Sequence, residues 1–138
     1  MIEMKINYDG GLHCSNTHGP SGSNFATDAP VDNNGRGESF SPTDLLATAL
    51  GCCMATVMGI VARQKGIDIE GMDVTVGKHM SENQPRRVSQ LDVRIEMPLP
   101  ADHPDRKTLE SSALSCPVFQ SINPEIKVPI DWVWQERD

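Results

Sequence analysis

The chain has 138 residues, enough for one domain with a substantial core and too few for two. Twelve Lys and Arg against nineteen Asp and Glu give a formal charge of −7 without a basic run, which argues against nucleic acid or an anionic membrane surface as partner. Met1-Ile2-Glu3-Met4-Lys5 lacks the apolar core and cleavage site of a signal peptide, so the protein is expected to be cytoplasmic and its four cysteines to rest as thiols.

Ile2, Met4, Ile6 and Tyr8 alternate with Glu3, Lys5 and Asn7, the period of a half-buried strand. Asp9-Gly10-Gly11 supplies the positive-φ residues of a hairpin turn, and Leu12 and Cys14 begin a returning strand. From Ser15 to Gly37 the composition is Ser, Asn, Gly and Pro, which predicts loop with one short strand over 24–27.

A long helix follows, over residues 42–65. Ser41 is its cap, Pro42 fits the first helical position, and Asp44 opposes the positive end of the dipole. Arg63 and Lys65 close the last turn, with Gly66 beyond. Leu46, Leu50, Cys53, Val57 and Ile60 form one apolar stripe with a thiol at its centre. Leu45 to Ala62 carries no charge, about the ~18 residues that raise a membrane flag. Gly51, Ala55 and Gly59 give a small face on which another backbone can approach closely, and no other apolar span exists. A helix buried on all sides by protein is therefore expected.

Ile67, Ile69, Met72, Val74 and Val76 read as a strand broken at Gly71, and Ser81 to Arg87 as a polar turn. Leu91, Val93, Ile95 and Met97 form the clearest strand, ended by Pro98 and Pro100. A second helix starts near Asp102 and carries Leu109, Ala113 and Cys116 on one face, with Pro117 breaking it. The last strand holds Ile126, Val128, Ile130, Trp132 and Trp134. The order predicts an α+β fold, a single domain over 1–138 with antiparallel sheet wrapped around the central helix.

The cysteines contain no C-x-x-C pair, so structural zinc has little support. Cys14 has His13 and His18 nearby but no fourth ligand, and reads as a strand thiol beside solvated histidines. Cys52 lies about 100° around the helix from Cys53 and reads as a small hydrophobe. Composition leaves Cys53 and Cys116 open between core packing and chemistry, and neither a metal nor a cofactor is expected.

The words around those two cysteines are recognisable. Residues 41–53, Ser-Pro-Thr-Asp-Leu-Leu-Ala-Thr-Ala-Leu-Gly-Cys-Cys, resemble the helix signature of the OsmC/Ohr family, and Cys116-Pro117-Val118 resembles its second cysteine motif. Tyr8-Asp9-Gly10-Gly11-Leu12 and Thr27-Asp28-Ala29-Pro30 are similar to the family's first hairpin and the turn before its helix. The resemblance implies an intertwined homodimer that reduces organic hydroperoxides. It places Cys53 at the reactive thiol and Cys116 at the resolving thiol, with a Cys53–Cys116 disulfide as product and an external dithiol as reductant. A non-catalytic or weakly catalytic redox-sensing or ligand-binding protein of the same fold is the alternative.

The chain departs from the family at two places. Leu12 stands where the peroxidases carry an arginine near the first hairpin, and Thr43 where they carry a glutamate after the helix-opening proline. Peroxide attack consumes thiolate, and reactive cysteines ionise below the free value of about 8.5. Cys53 lies several turns from its helix N-terminus, and the dipole effect fades within about one turn, so a cation from elsewhere is required. Arg36, between Gly35 and Gly37, is the candidate. If it serves, Arg36→Ala slows alkylation of Cys53 at neutral pH. Iodoacetamide kinetics against pH check this, and an unchanged profile removes Arg36 from the site.

Overall fold

The computed structural model describes residues 1–136 and falls into two compact units, Met1–Leu46 and the chain from Ala47 onward. In the first unit β1 (Met4–Tyr8), β2 (His13–His18) and β3 (Asn24–Asp28) form an antiparallel sheet in that order. The hairpin turn falls at Gly10 and Gly11, with φ of +82° and +61°. β2 runs three residues further into the expected loop than Ser15, because Asn16 and Thr17 are paired on both sides, by β1 and by β3. The apolar side chains of the first strand are not half-buried as their alternation predicts. Met4, Ile6 and Tyr8 are each about 60% exposed (59, 65 and 63%), on the edge strand of the sheet.

α1 spans Pro42–Gln64, close to the expected 42–65. Its start is a reciprocal box: Asp44 N–H donates to Ser41 Oγ at 3.1 Å, and Ser41 N–H donates to Asp44 Oδ2 at 2.9 Å. Its end is closed by Ile67 N–H donating to the Ala62 carbonyl at 2.9 Å across Gly66, whose φ is +68°.

The buried stripe of α1 is not the one the apolar spacing predicts. Ala47, Leu50, Gly51, Met54, Met58 and Ala62 are buried, Cys53 is half-buried, and Ile60 is 53% exposed. The contact at Gly51 accounts for the rotation. A Cβ there would stand 3.0 Å from Val76 Cγ2 and 3.4 Å from Val74 Cγ1, so the hydrogen lets the helix settle on β4 along its small face. The two methionines, long and unbranched, fill what the small residues leave. Within the single chain Cys52, Thr56 and Ile60 are exposed. Among the described residues α1 is the one helix long and apolar enough, by length and composition, to cross a membrane, and its buried stripe packs on β4 as a core helix does.

The second unit is built on β4 (Asp73–Met80), β5 (Val88–Pro100) and β6 (Ile130–Gln135), in that order. β4 begins only at Asp73, since Met72 N–H turns back to the Ile69 carbonyl at 3.0 Å. β5 carries Leu91, Val93, Ile95 and Met97 into the core and continues through Pro98 to Pro100, with a register shift against β6 after Met97. β4 and β5 pair antiparallel, but β6 runs parallel to β5, a correction to the expected all-antiparallel sheet. The connection explains it: α2 (Arg106–Leu114) and α3 (Pro117–Ser121) lie between the two strands and carry the chain back to the same end. The last strand also starts later than expected, with Lys127 joined to Gln90 by an isolated bridge. The α+β class and the single long helix stand as read from the sequence.

Gly51→Val forces branched carbon into the contact with Val74 and Val76. Overpacking of this kind costs roughly 1–3 kcal/mol. Urea denaturation of the variant should show a lower midpoint with an unchanged slope.

Candidate active site at two thiols

Cys116 precedes a proline, which disfavours helical geometry in the residue before it. Its φ and ψ of −65° and 142° are accordingly extended, so α2 stops at Leu114 and α3 begins anew at Pro117. The side chain, fully buried, then caps the new helix, its Sγ accepting the Phe119 N–H at 3.3 Å. Cys53 comes from the rim of α1's buried face and is half-buried. Its Sγ accepts the Val118 N–H at 3.5 Å, a contact 65 residues apart in the chain. Both predicted thiols therefore meet at the start of α3, and all four cysteines are unbridged.

The two thiols also share a hydrogen bond. Burial pushes the Cys116 thiol up from its ordinary value of 9.0. The Phe119 amide draws it down, the bond to Cys53 and the charge Cys53 can carry push it up again, and the Val118 amide lowers it. The net direction is upward. Cys116 therefore holds its proton and can donate it toward Cys53.

The other cysteines are elsewhere. Cys52 is exposed on α1, its carbonyl taken by the Thr56 hydroxyl at 2.7 Å. Cys14 sits half-buried on β2 in the first unit, opposite Tyr8 and Thr27. The histidines beside it are engaged: His13 Nδ1 lies 2.6 Å from the buried Asp28 carboxylate, and His18 Nδ1 lies 2.6 Å from Ser21 Oγ. Among the described residues no three His, Cys, Asp or Glu side chains converge as metal ligands. Leu12 takes a left-handed conformation in the hairpin turn, with φ of +59°. Thr43 bonds Ser41 Oγ at 3.2 Å in the first turn of α1.

One feature of the site escaped the sequence. The amides of Val118 and Phe119 carry no side-chain signature, and only the Cys116-Pro117 pair hinted that unpaired N–H groups would gather there. Within the first unit, Arg36 folds onto the hairpin turn. Its Nη2 would stand 3.2 Å from a Cβ placed on Gly11, beside the position that holds Leu12.

The profile of the family described as OsmC-like protein matches residues 35–131. A solved structure from Psychrobacter arcticus, of a candidate osmotic stress induced and detoxification response protein, is 45% identical, with 96% of each chain covered and a TM-score of 0.90. An organic hydroperoxide resistance protein OsmC from Legionella pneumophila shares the fold at 15% identity, 96% of each chain and a TM-score of 0.76. So does an organic hydroperoxide resistance protein candidate from Vibrio cholerae, with captopril bound in one of its active sites, at 17% identity, 94% of this chain, 90% of that one and a TM-score of 0.75. No curated protein matches the chain.

Proposed function

The chain belongs to the OsmC-like protein family, which carries a redox or peroxide-related role, and on that premise we propose that it is a thiol-dependent reductase of organic hydroperoxides. The observation that carries the reading is the meeting of Cys53 and Cys116 at the start of α3, one sulfur half-buried and the other buried with its proton held.

In the proposed cycle the Cys53 thiolate attacks the distal peroxide oxygen. The S–O bond forms, the O–O bond breaks, and the alkoxide leaves with the electron pair and takes a proton to become alcohol. Cys53 is then a sulfenic acid. The Cys116 sulfur displaces its hydroxyl, which departs as water with the Cys116 proton, and the disulfide forms. An external dithiol reduces it by exchange. Resolution from a neighbouring sulfur keeps Cys53 from the irreversible sulfinic state. Leu12 and Thr43, in place of a cation and a carboxylate, favour the second reading, a redox-sensing or ligand-binding protein that turns over slowly or not at all.

We place the protein in the cytoplasm, where thiols stay reduced, and as a homodimer. Met4, Ile6 and Tyr8, exposed on the edge strand of the first sheet, and the exposed Ile2 just before it support a second copy as their cover. Sedimentation should find a dimer at micromolar concentration, and a folded monomer there removes that part of the proposal.

Cys53→Ser should abolish hydroperoxide consumption in the presence of dithiol. Cys116→Ser should complete about one turnover and stop, leaving sulfenic or sulfinic acid on Cys53. Mass spectrometry of the peroxide-treated wild type should find the Cys53–Cys116 peptide. Equal loss of the first turnover in both variants contradicts the assigned roles, and a wild type inert toward peroxide with every dithiol offered selects the binding reading.

A further inference from the structure

Pro117 has no amide hydrogen, so Val118 is the first donor of α3. The opening amides of a helix have no partner inside it and must find acceptors outside. Phe119 N–H finds the local cap, Cys116 Sγ. Val118 N–H faces both sulfurs: it acts on Cys116 and also reaches across the fold to Cys53 Sγ at 3.5 Å. A neutral thiol is a weak acceptor, whereas a hydrogen bond to an ionised group is roughly twice as strong as a neutral one, so this contact gains strength when Cys53 ionises. The donor is backbone, its place set by the fixed φ of Pro117 and by the Cys116 cap. Unlike a long cationic side chain, it loses no rotamer freedom on engaging the sulfur. It also stands where the helix of Cys53 itself offers nothing to a negative charge.

We propose that the backbone N–H of Val118 holds the Cys53 thiolate and directs its lone pair outward, standing in for part of what a side-chain cation supplies elsewhere. The assignment rests on Cys53 being the reactive thiol. The amide keeps its hydrogen throughout. It faces full negative charge before attack and a neutral sulfenic sulfur afterwards, so its hold is strongest on the attacking form.

The test needs no peroxide. In 15N-labelled, reduced, full-length protein, the Val118 amide resonance should move with pH along the same curve as the alkylation rate of Cys53. The movement should vanish in Cys53→Ser and persist in Cys116→Ser. A Val118 resonance that stays still while Cys53 ionises, or that still moves in Cys53→Ser, overturns the proposal. Val118→Pro adds a second readout: it removes the donor, and because it also disfavours helical geometry at Pro117 its rate is read only where the fold around α2 and α3 is kept. Alkylation of Cys53 at neutral pH should slow roughly tenfold, the scale of a hydrogen bond to a charged group. Wild-type fluorescence of Trp134, whose indole bonds Glu110 of α2, reports that the fold of the second unit is kept. An unchanged Cys53 rate in folded Val118→Pro also overturns the proposal, and if that variant does not fold, the wild-type titration decides alone. A protein that consumes no peroxide but shows the coupled Val118 shift keeps the amide's role and loses only the peroxide reading.

Discussion

Pro117 cannot donate a hydrogen bond and disfavours helical geometry in the residue before it, and the arrangement of the two thiols depends on that constraint. Had α2 continued through residue 116, the Cys116 side chain would lie along a helix face and the amides of residues 118 and 119 would be spent on carbonyls four residues back. Instead the helix stops, Cys116 turns extended, and its sulfur becomes the cap of a new helix. One proline thus creates both the unpaired amides and one of the sulfurs that receive them. The second sulfur, Cys53, comes from α1 and accepts the Val118 amide, which also faces the first.

That meeting requires α1 to lie at a particular rotation and distance. Gly51 sets both, since its missing side chain is filled by Val74 and Val76 of β4. Settling on this small face turns Met54 and Met58 into the core and leaves Cys53 at the rim, partly open. A cysteine at the centre of the buried stripe would be sealed from solvent. At the rim it has a packed wall on one side and is partly exposed on the other.

On the other side of the sheet connection, a polar cluster anchors the crossover that delivers Cys116. Trp134 Nε1–H of β6 donates to Glu110 Oε1 of α2 at 2.9 Å, Arg106 Nε–H donates to the same oxygen at 3.0 Å, and the Arg106 guanidinium stands 5.2 Å from the indole centre. Leu109 and Ala113, fully buried, add the apolar contact. The parallel pairing of β6 with β5 follows from this crossover. It places α2 and then α3 between the strands, so the same connection that decides sheet topology also decides where the second thiol ends up.

The sequence by itself determined most of the elements and, through the resemblance of its motifs, singled out the two thiols. The caps of α1, the alternation of Leu91 to Met97, the Gly10-Gly11 turn and the break at Pro117 are local effects of backbone chemistry, legible without tertiary knowledge, and the two cysteine motifs carried the family. Tertiary structure decided what depends on a partner far along the chain. Periodicity could not choose between the stripe through Cys53 and the small face through Gly51, because both are apolar and only the shape of β4 discriminates. Alternation marks a strand but not its direction, so the parallel β6 emerged only from the crossover. The exposure of β1 depends on the sheet edge it occupies. The amide of Val118 had no signal beyond the Cys116-Pro117 pair before it, since a backbone donor looks the same in every residue but proline until an acceptor is folded against it.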